Sequence, residues 1–309
     1  MAKQYLIDAA KFDNAYRGYN DIFFNALEHA AGVFAEDEIA TFVASDSPEE
    51  EYDFIGDLPK MREWIGERVV KALRAEKFII RNKDWEATVK VSRDDVRYDK
   101  FNKVKPKIMG LAQAAPRKRD ELLTNLLTLG FADSLGVSYD GQYFFDNDHT
   151  TAGNGTGQSY SNVATAALDA TALDAGLQNG IERVDDFGEP LDISFDTLMY
   201  GPKLESTVRD LIKTPTLSGG GKNPHFEIVA PILNRRLRGA YDDYWFLFDT
   251  KKPVGALVFQ QVGGINFVPR EEMRDDNVFW HKDFVFGADG TFNAGYGLPQ
   301  LAYGSDGTT

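Results

Sequence analysis

Residues 77–92 read Lys77-Phe-Ile-Ile-Arg-Asn-Lys-Asp-Trp-Glu-Ala-Thr-Val-Lys-Val-Ser92. Phe78 and Ile80 alternate with Lys77, Ile79 and Arg81, and Trp85, Ala87, Val89 and Val91 alternate with Glu86, Thr88, Lys90 and Ser92. A period of two places one set of side chains on one face of a strand. Asn82-Lys-Asp84 between the two runs has turn chemistry, so the stretch predicts a β-hairpin. A lone two-stranded ribbon is marginal in water and has to be covered, by a later strand or by a neighbouring subunit. Both flanks are helical or loop-like, which favours the neighbour. Trp85, Val89 and Val91 are therefore candidate subunit-interface residues.

Upstream, Asp57 is placed to cap a helix whose first turn holds Pro59, where a missing N–H costs nothing. Met61, Trp64, Ile65, Val69 and Leu73 mark its apolar face, with Arg62, Glu63, Glu67 and Lys71 around the rest. Before it, residues 1–50 carry one apolar stripe (Phe23, Phe24, Leu27, Ala30, Ala31, Phe34) and an acidic loop, Ser45–Glu51. This is too little for a core and reads as an arm that lies on something else. Downstream, Ile108, Leu111, Ala112, Ala115, Leu122, Leu123, Leu126 and Leu127 keep one helical phase over 106–130. Pro116 interrupts that run and predicts a kink in a single long helix. The remainder mixes helices (169–184, 202–212) with strands at 193–200, 226–230, 245–248, 255–262 and 279–286. The fold class is α+β, with no fixed-period repeat.

Composition narrows the function. Forty-eight acidic against 34 basic residues give a net charge of -14. Such a chain is not built to hold DNA phosphates over a broad surface. Cys is absent, which excludes disulfides, thiolate ligands and cysteine nucleophiles. The opening residues lack the apolar core of a signal peptide, and no run of about 18 apolar residues exists to span a membrane.

Motifs for chemistry are weak. Gly219-Gly-Gly-Lys222 is half of a phosphate loop, followed by Asn223 in place of Ser or Thr. Gly153-Asn-Gly-Thr-Gly157 does not join a strand to a helix as a dinucleotide site requires. Asp146, Asp148 and His149 have metal-binding atoms but serve equally as turn formers. No G-x-S-x-G elbow occurs. Arg235, Arg236 and Arg238 form one tight basic cluster, read as a solvated face or ion-paired, with nucleic-acid contact as the alternative. An enzyme needs a convergent acid, base and nucleophile, and no such set is offered. No catalytic, cofactor or metal residues are expected.

Several stretches taken together resemble the Mu-like phage major head subunit family. They are Tyr52-Asp-Phe-Ile-Gly-Asp-Leu-Pro-Lys-Met-Arg-Glu-Trp-Ile-Gly-Glu-Arg68, then Phe78–Val91 with Arg93-Asp-Asp95, and Gly130-Phe131 with Tyr139-Asp-Gly-Gln-Tyr-Phe-Phe-Asp146. Asp275-Asp-Asn-Val-Phe279, Gly295-Tyr-Gly-Leu298 and Ala302-Tyr-Gly-Ser305 complete the set. The resemblance runs in order over roughly 12–305 and is weakest over 152–195.

The resemblance implies the tailed-phage capsid fold named after phage Hong Kong 97. On that plan residues 1–50 are an N-terminal arm, and 51–105 a helix and extended hairpin loop. Residues 106–150 are a peripheral domain with its spine helix, 151–270 an axial domain, and 271–309 return to the peripheral domain. The implied function is a major capsid protein that self-assembles into pentamers and hexamers of an icosahedral shell. Double-stranded DNA would be packaged without sequence-specific contact. Scaffold, portal and decoration proteins are the implied partners, the place is the virion after assembly in the host cytoplasm, and no membrane is involved. Arg62, Trp64 and Arg68 join Trp85, Val89 and Val91 as interface candidates. An encapsulin-like compartment of the same fold, filled with protein, is the alternative.

Overall fold

The structure, a computed structural model, describes residues 18–30, 32–34, 39–55, 75–97, 101–150, 158–185, 188–216, 219–270 and 275–309. Residues 18–28 are helical (α1). The strands are β1 Ala40–Ser45, β2 Glu49–Ile55, β3 Ala75–Arg81, β4 Lys83–Ser92, β5 His149–Thr150, β6 Ser159–Tyr160, β7 Val163–Ala164 and β8 Thr197–Tyr200. They continue with β9 Ala230–Leu233, β10 Trp245–Phe248, β11 Leu257–Arg270, β12 Asp283–Tyr296 and β13 Ala302–Ser305. The helices after α1 are α2 Arg93–Arg97, α3 Phe101–Ala112, α4 Ala114–Leu129, α5 Ala170–Ile181, α6 Glu205–Val208 and α7 Asp276–His281.

Two sheets organise the chain. A five-stranded sheet has the order β7-β13-β10-β8-β9, and a four-stranded sheet the order β1-β11-β12-β4. In the first, Trp245-Phe-Leu-Phe248 of β10 runs antiparallel to both β8 and β13, and all its residues are buried. Burial on both faces explains why the sequence there is an unbroken apolar run. On one face α5 comes so close that a Cβ on Gly176 would stand 2.7 Å from Leu247. On the other face a Cβ on Gly304 would stand 2.8 Å from the Phe145 ring. Asp169 starts α5 as expected, accepting a hydrogen bond from the Ala172 N–H at 2.7 Å.

The four-stranded sheet is covered differently. Along β12 buried and half-buried residues alternate. Its inner face meets α1 and α3, where Tyr19, Phe23, Val104, Ile108 and Leu111 cluster with Val91, Phe267, Phe284 and Phe286. The arm thus lies on its own chain: α1 packs on this sheet, and β1 pairs in parallel with β11. β11 and β12 are 14-residue partners whose register shifts between Val262 and Asn266, with Gly263 at φ 62°. Such a bulge bends the ribbon.

The expected hairpin of Lys77–Ser92 is not formed. β3 pairs with β2 and β4 pairs with β12, both antiparallel. Asn82 is a joint between sheets: its side-chain amide donates to Ser45 Oγ (2.9 Å) and the Ser47 carbonyl (2.8 Å). Its Oδ1 accepts from Gln260 at 2.8 Å. Alternation identifies a strand but not its partner, and the longest apolar partner for β4 stands some 200 residues downstream. The cover expected from a neighbouring subunit comes from the same chain.

Three other expectations change. The long helix breaks at Gln113, between α3 and α4, and not at Pro116, which falls in the first turn of α4. Residues 226–229 are turns and bends, and the strand follows as β9, while residues 276–281 form α7 ahead of β12.

Candidate functional site

Of the six interface candidates, Arg62, Trp64 and Arg68 lie outside the described residues. The structure brings Trp85, Val89 and Val91 together on the inner face of β4. Val91 is fully buried and sits opposite Phe284, and Val89 is half-buried opposite Phe286. Trp85 donates its indole N–H to the Phe292 carbonyl at 2.8 Å and stacks on the Phe292 ring. Lys118 of α4 stands 4.2 Å above the Trp85 ring. Val91 is used inside the subunit, holding β4 to β12, because the sheet partner supplies the apolar surface it needs.

The apolar surface that is open lies elsewhere, and alternation gave no signal for it. On α7, Phe279 is 68% and Trp280 71% exposed, edge to face at 4.9 Å. Val278 of the same short helix points into the core. A second open group is Leu135, Val137 and Tyr143, in the connection after α4. Aromatic side chains are the type enriched at contact surfaces. Asp275–Phe279 stood out in the sequence only through its resemblance to a family stretch, not through its chemistry.

The residues singled out for chemistry take structural roles. His149 Nδ1 is 2.6 Å from Asp140 Oδ2, both side chains fully buried, and its Nε2 lies 3.2 Å from the Phe144 carbonyl. Asp146 accepts from the backbone N–H groups of Asn147 (2.7 Å) and Tyr143 (3.4 Å), as a turn former does. Tyr160 stacks on His149, and the Arg183 guanidinium lies 5.1 Å from the Tyr160 ring. Arg183 is buried and bonds Asn179 Oδ1 and the carbonyls of Gln300 and Ala302. Burial pushes its pKa down to about 10. This polar cluster ties the 138–162 connection to the end of α5 and to β13. Among the described residues no group of three or more His, Asp or Glu is placed to hold a metal. No described helix is long and apolar enough to cross a membrane.

Arg235, Arg236 and Arg238 acquire a neighbour the sequence did not indicate. Arg236 Nη2 donates to the Arg117 carbonyl at 2.6 Å, so the loop after β9 lies against the first turn of α4.

Comparison with known proteins assigns this architecture. The chain shares its fold with a subunit of the bacteriophage JBD30 procapsid, with a TM-score of 0.61 and 26% identity over 96% of this chain and 75% of that one. It is 27% identical to the major capsid protein of Escherichia phage Mu, over 91% of this chain and 68% of that protein. It is 25% identical to the Mu-like prophage FluMu major head subunit of Haemophilus influenzae, over 93% of this chain and 70% of that protein. The class is the tailed-phage capsid fold of the Hong Kong 97 type, in an α+β chain. Residues 12–173 and 232–309 match the model of the family described as Mu-like prophage major head subunit gpT, and the chain belongs to that family. It is a structural protein of the phage head, and its place is the capsid of the virion.

Proposed function

We propose that copies of this subunit associate into pentamers and hexamers and close an icosahedral shell around double-stranded DNA. The observation that carries this reading is the match, over 96% of the chain, to a procapsid subunit. Residues 1–50 serve as the arm, 51–105 as the helix and extended loop, 106–150 as the peripheral domain, and 151–270 as the axial domain. Residues 271–309 return to the peripheral domain. The exposed Phe279–Trp280 pair, together with Arg62, Trp64 and Arg68, meets neighbouring subunits. A net charge of -14 suits a wall past which DNA must slide without sticking. The family's role is structural, so the subunit carries no catalytic step. Assembly takes place in the host cytoplasm, with scaffold, portal and decoration proteins as further partners.

Expression of the full chain, followed by electron microscopy and nuclease protection of particles from infected or induced cells, tests this. Closed shells that protect DNA are expected. Open sheets only, or shells filled with a protein cargo, would overturn it, the latter in favour of a compartment.

A further inference from the structure

We propose that Arg117, Arg235, Arg236 and Arg238 form a docking patch for a second copy of this chain, which they engage through its Asp84–Glu86–Asp289 face. The proposal rests on the shell reading above and names one contact within it.

The patch is built, not incidental. Asn234 is fully buried, donates to Thr124 Oγ1 at 2.9 Å and accepts from the Arg236 N–H at 3.0 Å. Leu237 is fully buried between the arginines. The loop is thereby pinned to α4, and four exposed arginines stand together. Among the described residues none of them has a carboxylate within ion-pair distance, although the chain has 48 acidic residues. Arginine's planar fork is suited to carboxylate partners.

The complement lies on the outer face of the four-stranded sheet. Glu86 of β4 and Asp289 of β12 are directly opposite in register, and Asp84 is two residues along. Like charges facing each other across strands are destabilising. Their hydrogen-bond partners are neutral: Thr88 for Glu86, Asn266 for Asp289 and Thr291 for Asp84. The two patches cannot meet within one subunit. Trp85, beneath Lys118, faces α4, whereas Asp84 and Glu86 point to the other side of β4. A ring of identical subunits needs two different patches that fit each other, one on each flank. Copies that each carry -14 also need cations gathered where they touch.

The test uses the full-length chain and the concentration at which shells begin to form, read by light scattering and electron microscopy. Arg235→Glu/Arg238→Glu and Glu86→Lys/Asp289→Lys should each raise that concentration at least about tenfold. The chain carrying all four changes should return to near the wild-type value. Circular dichroism checks folding, and Arg235→Gln/Arg238→Gln gives a milder version if a reversal misfolds. Normal assembly of the reversed doubles, or no recovery in the quadruple variant, overturns the contact. Arginine variants that form normal shells but lose affinity for duplex DNA overturn it in favour of a nucleic-acid contact. A wild-type chain that never assembles defeats the shell reading, and this contact with it.

Discussion

The two sheets of this subunit are built from similar residues and are buried in opposite ways. In the five-stranded sheet β8, β10 and β13 are buried at every position, between α5 on one face and Phe145 with its neighbours on the other. In the four-stranded sheet β4 and β12 alternate: one face lies on α1, α3 and α4, while the other is covered by β3 near Gln260 and Gly295 and open along β4 from Asp84 to Lys90. The closed sheet spends its side chains on the subunit's own stability. The open sheet holds the subunit together through one face and leaves Asp84, Glu86, Thr88 and Lys90 of β4 in water on the other. A protein that must fold alone and then join many copies needs both kinds.

The sharpest way to break this contrast is one substitution made in each sheet. Phe246→Ala, in the closed sheet, removes a fully buried ring packed against Phe145 at 5.3 Å and should cost about 4–5 kcal/mol, near the top of the range for such truncations. Phe286→Ala, on the single covered face of the open sheet, loses ring contacts to Tyr19 (5.6 Å) and Phe267 (5.7 Å) and should cost about 3 kcal/mol. Urea unfolding of the unassembled subunit measures both. Equal costs would show that the open face adds as much support as the covered one. Gly304→Ala comes next, because its Cβ would press on the Phe145 ring at 2.8 Å. A loss of about 1–3 kcal/mol in the same assay is expected.

Alkaline pH should strain both sheets together. Burial pushes the Tyr52 hydroxyl up to about 12, with Glu50 adding to the shift. Burial likewise raises Tyr200, Tyr296 and Tyr303. The unfolded chain gives up these protons near pH 10 while the folded chain keeps them, so the folded state holds more protons. Stability should therefore be level below pH 9–10 and fall as pH rises through about 10 to 12. Tyrosinate absorbance followed alongside circular dichroism checks it. A full tyrosine titration completed before any unfolding would contradict it.

The smallest effect on the isolated subunit is expected from Phe279→Ser with Trp280→Ser. Both side chains are more than two-thirds exposed, so stability should move by less than about 0.5 kcal/mol. Shell yield should drop. A large stability loss without an assembly defect would place this pair in the core economy of the subunit and not on its contact surface.

How much of this could be read beforehand depended on the range of the signal. Trp245–Phe248 is an apolar run of strand length, and its type followed from that. The helix read over 169–184 is found as α5, and the structure adds that Asp169 caps it. Lys77–Ser92 showed two strands correctly, but the turn residues at Asn82-Lys-Asp84 suggested that they pair with each other. Asn82 instead bonds Ser45, Ser47 and Gln260, and the chain passes from one sheet to another there. Pro116 was read as a kink because the apolar phase survived it. The break at Gln113 falls three residues earlier, which leaves the proline in a first turn where it is harmless. Family membership was legible because it rests on ordered stretches along most of the chain and needs no knowledge of pairing.

The amino-acid sequence by itself determined the α+β class, the acidic balance and the family, since each depends on residue type, local period or order along the chain. Only the tertiary structure decided that β4 belongs to β12, that α1 and β1 lie on their own subunit, and that Val91 is spent inside. It also decided that Arg117 joins the 235–238 arginines. These are contacts between residues far apart in the chain, selected by which apolar faces close best in three dimensions, and no local pattern carries that choice.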